Sequence, residues 1–219
     1  MFDTINLPKL NNLTPTLEST LLKAMEEAGE LARAVLNFLP YEDVPPGRRQ
    51  QSELMESLLG DVTEELLDVA QTCVTMIFVM EEYYGVHADE LIGVHLEKLR
   101  AKGYAYDNHR CYRIATDGNF KTLHLPRLAI EEVTLLKTVC KIQEEIGELT
   151  QFLGKRSGAS GERRDLSGDE IVHECSLELL DIAQCCFTMM YILAEKHAVD
   201  VKALLEKHVS KLKRKGYCA

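Results

Sequence analysis

The segment EELLDVAQTCVTMI at residues 64–77 returns as LELLDIAQCCFTMM at residues 177–190, 113 positions further on. Two more blocks repeat in the same order. KAMEEAGEL at 23–31 returns as KIQEEIGEL at 141–149, and HLEKLRAKGY at 95–104 as HVSKLKRKGY at 208–217. KAMEEAGEL, the first of the three in the chain, is displaced by 118 positions and the other two by 113, so the second copy has a connection shorter by five residues. Three blocks in register establish an internal duplication. The copies run over 1–104 and 126–219, with a linker at 105–125 between them.

Both copies read as helical. Leu58, Leu59, Val62, Leu66, Val69, Ala70, Cys73, Val74, Ile77 and Phe78 recur at steps of three and four, the helical period. Leu21, Leu22, Met25, Ala28, Leu31, Val35 and Leu36 mark the apolar face of the preceding helix in the same way. Pro40, Pro45, Pro46 and Gly47 then place a loop, as do Gly154, Ser157, Gly158, Ser160 and Gly161 in the second copy. Gly85 ends the long helix, a shorter one carries Leu91 to Lys102, and Gly103 and Gly216 suit C-terminal caps. Between the copies, CYRIATDGNFKTLHL at 111–125 has two β-prone runs around Asp117-Gly118, which predicts a short β-hairpin or extended linker. The fold class is all-α. One copy, with three amphipathic helices in roughly 100 residues, makes a marginal core on its own. The two are therefore expected to pack face to face as a pseudo-two-fold helix bundle.

The 219 residues are 46% hydrophobic and 27% charged, the composition of a globular chain. Lys and Arg number 25 against 35 Asp and Glu, a net charge of -10, which argues against a protein that coats nucleic acid. Anionic substrates stay within reach if a cation stands between the carboxylates and the phosphates. The seven cysteines include no CxxC pair and read as reduced core thiols. The N-terminus lacks a secretory pattern, and the longest apolar run, near Cys73 to Met80, is too short for a bilayer. The expectation is a cytoplasmic chain with neither membrane nor nucleic-acid partners.

The acids are patterned. Glu27 and Glu30 share one face of the first helix, and Glu65 and Asp68 one face of the long helix, within a polar stripe of Asp61, Glu65, Asp68 and Thr72. Glu26 and Glu64 flank them. The second copy repeats the set as Glu144, Glu145 and Glu148, then Glu178 and Asp181, with Glu174 in the place of Asp61. Like charges three apart cost a few tenths of a kcal/mol on one helix, and far more where two such helices exclude water. A bundle joining them needs a cation or a proton. Oxygen ligands without His or Cys suit Mg²⁺ or Mn²⁺. The closing helices carry Lys98, Lys102, Lys211 and Lys215, which complement a helix C-terminus or reach substrate phosphates. Lys23 and Lys141 could do the latter, or pair with Glu27 and Glu145 one turn on.

EExxE on one helix and ExxD on the next resemble the MazG-like family of all-α nucleoside triphosphate pyrophosphohydrolases. The motifs stand here at 26–30 with 65–68, and at 144–148 with 178–181; the trailing KLRAKGY and KLKRKGY resemble that family's closing basic helix. The resemblance covers both copies. It implies Mg²⁺-dependent hydrolysis of a (deoxy)nucleoside triphosphate between the α and β phosphates, giving the monophosphate and pyrophosphate, in the service of nucleotide-pool clearance. It implies Glu27, Glu30, Glu65 and Asp68, and Glu145, Glu148, Glu178 and Asp181, as metal ligands, with Glu26 and Glu144 orienting water or supporting the ligands from behind. Family members assemble as dimers or dimers of dimers, so a homodimer of the tandem chain is the matching expectation. No P-loop and no Ser-His-Asp or Cys-His set is present.

Two other readings compete. A di-iron carboxylate bundle needs ExxH on two helices; Glu170 to His173 has that spacing, but the positions 113 earlier are Ser57 and Gly60. A non-catalytic nucleotide- or metal-binding helical scaffold keeps the acids without turnover. Phe38, Tyr41, Tyr104, Phe152 and Tyr217 read equally as base-stacking or core aromatics.

Overall fold

The computed structural model describes residues 2–158 and 167–219. These form β1 (Ile5–Pro8), α1 (Leu17–Phe38), α2 (Pro46–Arg49), α3 (Glu53–Tyr84), α4 (Ala88–Ala101), β2 (Arg113–Asp117), β3 (Phe120–His124), α5 (Leu135–Ser157), α6 (Gly168–His197) and α7 (Val201–Arg214). The chain is mainly helical, with one small sheet.

Thr16 caps α1 through a capping box with Ser19, satisfying backbone donors that the first turn leaves free. Ser52 caps α3, and Gly85 closes it at φ 67°, a left-handed conformation that costs glycine little. The sequence period locates the buried face of α3, where Leu59, Val62, Leu66, Val69, Cys73 and Ile77 are all buried. On α1 it selects partly the wrong side. Leu22, Met25 and Leu36 are exposed, at 67%, 47% and 56%, while Leu17, Ala24, Ala28, Leu31, Val35 and Phe38 form the core face. Apolar residues lie on both sides of α1, and period alone does not say which side is covered.

α1 packs on α3 and α5 on α6, while α3 meets α6 and α1 meets α5, so one continuous core spans both copies. The short closing helices cross over: α4 packs on α6, and α7 on α3. α6 is long and apolar enough to cross a membrane, but 83% of its most apolar window is buried inside the protein, as in a core helix.

The linker contributes more than a hairpin. β2 and β3 pair as expected, but β1 joins them in an antiparallel sheet of order β1-β3-β2, with Leu7 opposite Lys121 and Ile114 opposite Leu123. The turn lies one residue later than Asp117-Gly118. Asp117 still pairs with Phe120, leaving Gly118 and Asn119 as the loop, with Gly118 at φ 57°. Gly154 also departs from expectation. It lies within α5, which runs on to Ser157 and is capped by Gly158 at φ 72°. Ser160 and Gly161 fall outside the described residues.

The loop after α1 is pinned across the molecule. Arg49 is 1% exposed; its Nε donates to Glu56 Oε1 at 2.8 Å and one terminal nitrogen to the His197 carbonyl at 2.5 Å, the other lying 3.2 Å from His197 Nδ1. Burial, then the Arg49 and Lys196 charges, push the pKa of His197 down to about 4. This has a sign. Above the ordinary histidine pKa both folded and unfolded chains hold His197 neutral, and no stability depends on it. As pH falls toward 4 the unfolded chain takes up a proton that the folded chain refuses, and stability is lost. Urea unfolding at pH 7 and pH 4.5 should therefore show a loss smaller by about 2 kcal/mol in His197→Asn than in the wild type. An equal loss in both would remove His197 from the acid response.

Candidate metal centre

α1 and α3 bring Glu27, Glu30 and Glu65 together, with one oxygen of each within 4.8 Å of the others. Glu27 is buried, and Lys23, one turn before it, reaches its Oε1 at 2.6 Å. Burial raises the Glu27 pKa and the Lys23 contacts oppose that rise. Arg33 approaches Glu30 at 3.6 Å from the solvent side. Glu65 has no ion pair among the described residues. Its pKa is raised first by burial, then by Glu30, Asp68 and Glu27. Asp68, one turn further on, stands beside the trio. It accepts from Lys211 Nζ at 2.8 Å, and His208 Nδ1 lies 3.6 Å from its other oxygen.

The second copy assembles a related but different cluster of Glu145, Glu178 and Asp181, all three buried and within the same 4.8 Å. Lys141 reaches Glu145 at 2.6 Å. Lys98 lies 3.1 Å from Glu178 and 2.6 Å from Asp181, and Lys102 lies 3.4 Å from Asp181. His95 Nδ1 is 3.1 Å from the other Asp181 oxygen. Burial alone would raise the Asp181 pKa, but His95 and Lys98 hold it well below the usual carboxylate range. Glu178 moves the other way, pushed up to about 7 by burial and by a hydrogen bond with the Glu145 carboxyl, despite Lys98.

Six of the eight acids proposed as ligands thus stand in two clusters. Asp68 lies at the edge of the first, and Glu148 is exposed, outside the second. Glu26 and Glu144 are exposed and paired at 3.0 Å with Lys23 and Lys141. Lys23 and Lys141 therefore make the one-turn salt bridges open to them. Lys98, Lys102 and Lys211 do approach the acids, though always those of the other copy. Lys215 lies instead over the Tyr217 ring, 5.8 Å from its centre. Each cluster is thus completed by the closing helix of the opposite copy. The ExxH spacing builds nothing comparable: Glu170 accepts from the backbone N–H of Ser167, the N-cap of α6, His173 is exposed, and neither belongs to an acidic cluster.

Sequence reasoning passed over two pairs. His95 and His208, each heading a repeated block, are the buried imidazoles set against Asp181 and Asp68. Gln71 and Gln184, inside the longest block, donate at 2.9 Å to the carbonyls of Pro8 and Pro126. Those prolines sit in LPKL and LPRL, a further repeat at the 118-residue displacement. Lys9 and Arg127 from these strings pair with Glu82 and Glu195 at 2.6 and 2.8 Å. Repetition was the available signal for all of them.

A mainly apolar slot of about 240 Å³ opens onto the second cluster, lined by Leu99, Tyr104, Leu128, Ile130 and Val133 together with Glu145 and Asp181. A larger groove of about 1040 Å³, lined by Phe2, Tyr191 and Val209, includes none of the cluster acids.

No protein-family model, curated protein or solved structure matches the chain.

Proposed function

We propose that this chain is a Mg²⁺-dependent hydrolase, with Mn²⁺ as a substitute, that splits (deoxy)nucleoside triphosphates into monophosphate and pyrophosphate. The observation that carries the proposal is the duplicated EExxE and ExxD pattern, six of whose carboxylates gather in the fold into two clusters at helix interfaces. At the first cluster, Glu27, Glu30 and Glu65, with Asp68 beside them, fit a hard cation. They offer oxygen alone, and Glu65 has no close ion pair among the described residues. Bound Mg²⁺ supplies the positive charge and Lewis acidity that a triphosphate requires. The protein's own part is to hold these acids in place, to present Lys211 from the opposite copy to phosphate oxygens, and to orient water through the exposed Glu26.

The same reading covers the finer architecture. It makes 1–104 and 126–219 two MazG-like units related by a pseudo-two-fold, joined through 105–125, in a cytoplasmic chain that pairs further as a homodimer. The exchange of closing helices between copies supports it, since one copy alone would lack the lysine and histidine that complete its cluster.

The test is pyrophosphate release from a panel of natural and modified triphosphates, with Mg²⁺ and after chelation. Release with Mg²⁺ and none after chelation is expected. Folded, Mg²⁺-loaded protein that releases no pyrophosphate from any of them would sink the proposal.

A further inference from the structure

Positions 98 and 211 correspond in the repeat, as do 178 with 65 and 181 with 68, yet the two lysines sit differently. Among the described residues Lys211 makes its ion pair with Asp68, and it acts on Glu65 only at longer range. Lys98 stands between two carboxylates, 3.1 Å from Glu178 Oε1 and 2.6 Å from Asp181 Oδ2. Lys102 adds a second ammonium on Asp181 at 3.4 Å, where its counterpart Lys215 has turned to the Tyr217 ring. With Lys141 on Glu145, three buried carboxylates face three ammonium groups. Glu148, whose counterpart Glu30 belongs to the first cluster, is exposed.

A divalent cation bridging Glu178 Oε1 and Asp181 Oδ2 needs both at about 2.0–2.6 Å, in the space between them that the Lys98 Nζ fills. Two positive centres so close would repel strongly where water is excluded. On these two oxygens the second cluster therefore does not fit a metal while Lys98 is in place. We propose that Lys98 is the built-in cation of the second cluster, so that the chain takes up divalent metal at the first cluster alone. This rests on the first cluster being the metal centre of the function proposed above, and it gives the two copies different tasks. The first loads the ion, and the second lends the first its basic helix while keeping its own acids neutralised.

The experiment is Mn²⁺ binding to the full chain, counted by electron paramagnetic resonance, with Mn²⁺ alone as probe. In the wild type, Glu65→Gln is expected to remove the bound Mn²⁺ and Glu178→Gln to leave it. Lys98→Met is expected to double the bound Mn²⁺ per chain, and Lys98→Met with Glu178→Gln to return it to the wild-type level. The double variant also removes one of the charges left bare by Lys98→Met, so it remains folded if repulsion unfolds the single one. Equal loading of both clusters in the wild type, or loss of Mn²⁺ in Glu178→Gln, overturns the proposal. Lys98→Met folded and without added uptake does so too. Wild type without Mn²⁺ but Lys98→Met with it upholds the role of Lys98 and removes the first cluster from the proposed function. Mn²⁺ loading without pyrophosphate release leaves this inference standing and overturns the hydrolase.

Discussion

Glu65→Gln is expected to lower kcat/KM for Mg²⁺-dependent hydrolysis by about a hundredfold or more, and at the same time to make the metal-free protein harder to unfold. The two effects have one cause. Glu65 lies among Glu27, Glu30 and Asp68 with no ammonium of its own, and all three push its pKa upward. In the metal-free chain that crowding opposes folding, and an amide of the same shape relieves it by about 1 kcal/mol. In the metal-loaded chain the same charge is what holds the ion. The Mg²⁺-induced rise in melting temperature should accordingly shrink or vanish in Glu65→Gln, while its melting point after chelation exceeds that of the wild type. A carboxylate acting only as a solvated helix residue would give neither result. Full activity in the variant, with an unaltered Mg²⁺ shift, would remove Glu65 from the centre.

The repeat put Glu27 and Glu30 on one helix face and Glu65 on another, and the spacing rules for helices carried that prediction into three dimensions with little loss. The same rules gave the caps at Gly85, Gly103 and Gly216, because a positive φ at a helix end is a local requirement. What failed was non-local. Ile5 to Pro8 is too short to announce a strand, and its partner Phe120 to His124 lies more than a hundred positions away. Leu22 and Leu36 obey the period of α1 yet face outward, because only the arrival of α3 and α5 decides which stripe is covered. Lys98 and Lys211 were legible as basic residues of the closing helices, suited to a helix C-terminus or to phosphates. That each crosses to the other copy depends on topology, and that Lys98 bridges two carboxylates while Lys211 holds one depends on packing the repeat does not encode.

Arg49→Met should cost about 3 kcal/mol of stability, a fall of roughly 6–12 °C in Tm for a chain of this size, with no part of the acidic clusters touched. Arg49 is a fully buried cation whose partners come from two places: Glu56 near the start of α3, and both the ring and the carbonyl of His197 at the end of α6. That carbonyl belongs to the last turn, where no further helical donor is available, so the guanidinium satisfies a group that would otherwise be stranded. Methionine fills the volume but donates nothing. The ring of His197, packed edge-on against Phe38 at 5.4 Å, would lose the neighbouring charge that helps keep it neutral. Its pKa should therefore rise toward the ordinary histidine value, and the acid-induced loss of stability assigned to His197 should diminish in Arg49→Met. Lysine is not an adequate substitute, because one ammonium cannot span the three acceptors as the planar fork does. Thermal melts of Arg49→Met and Arg49→Lys at pH 7, each repeated at pH 4.5, separate the two contributions. If both variants melt with the wild type, the loop after α1 is not held to α6 through this residue.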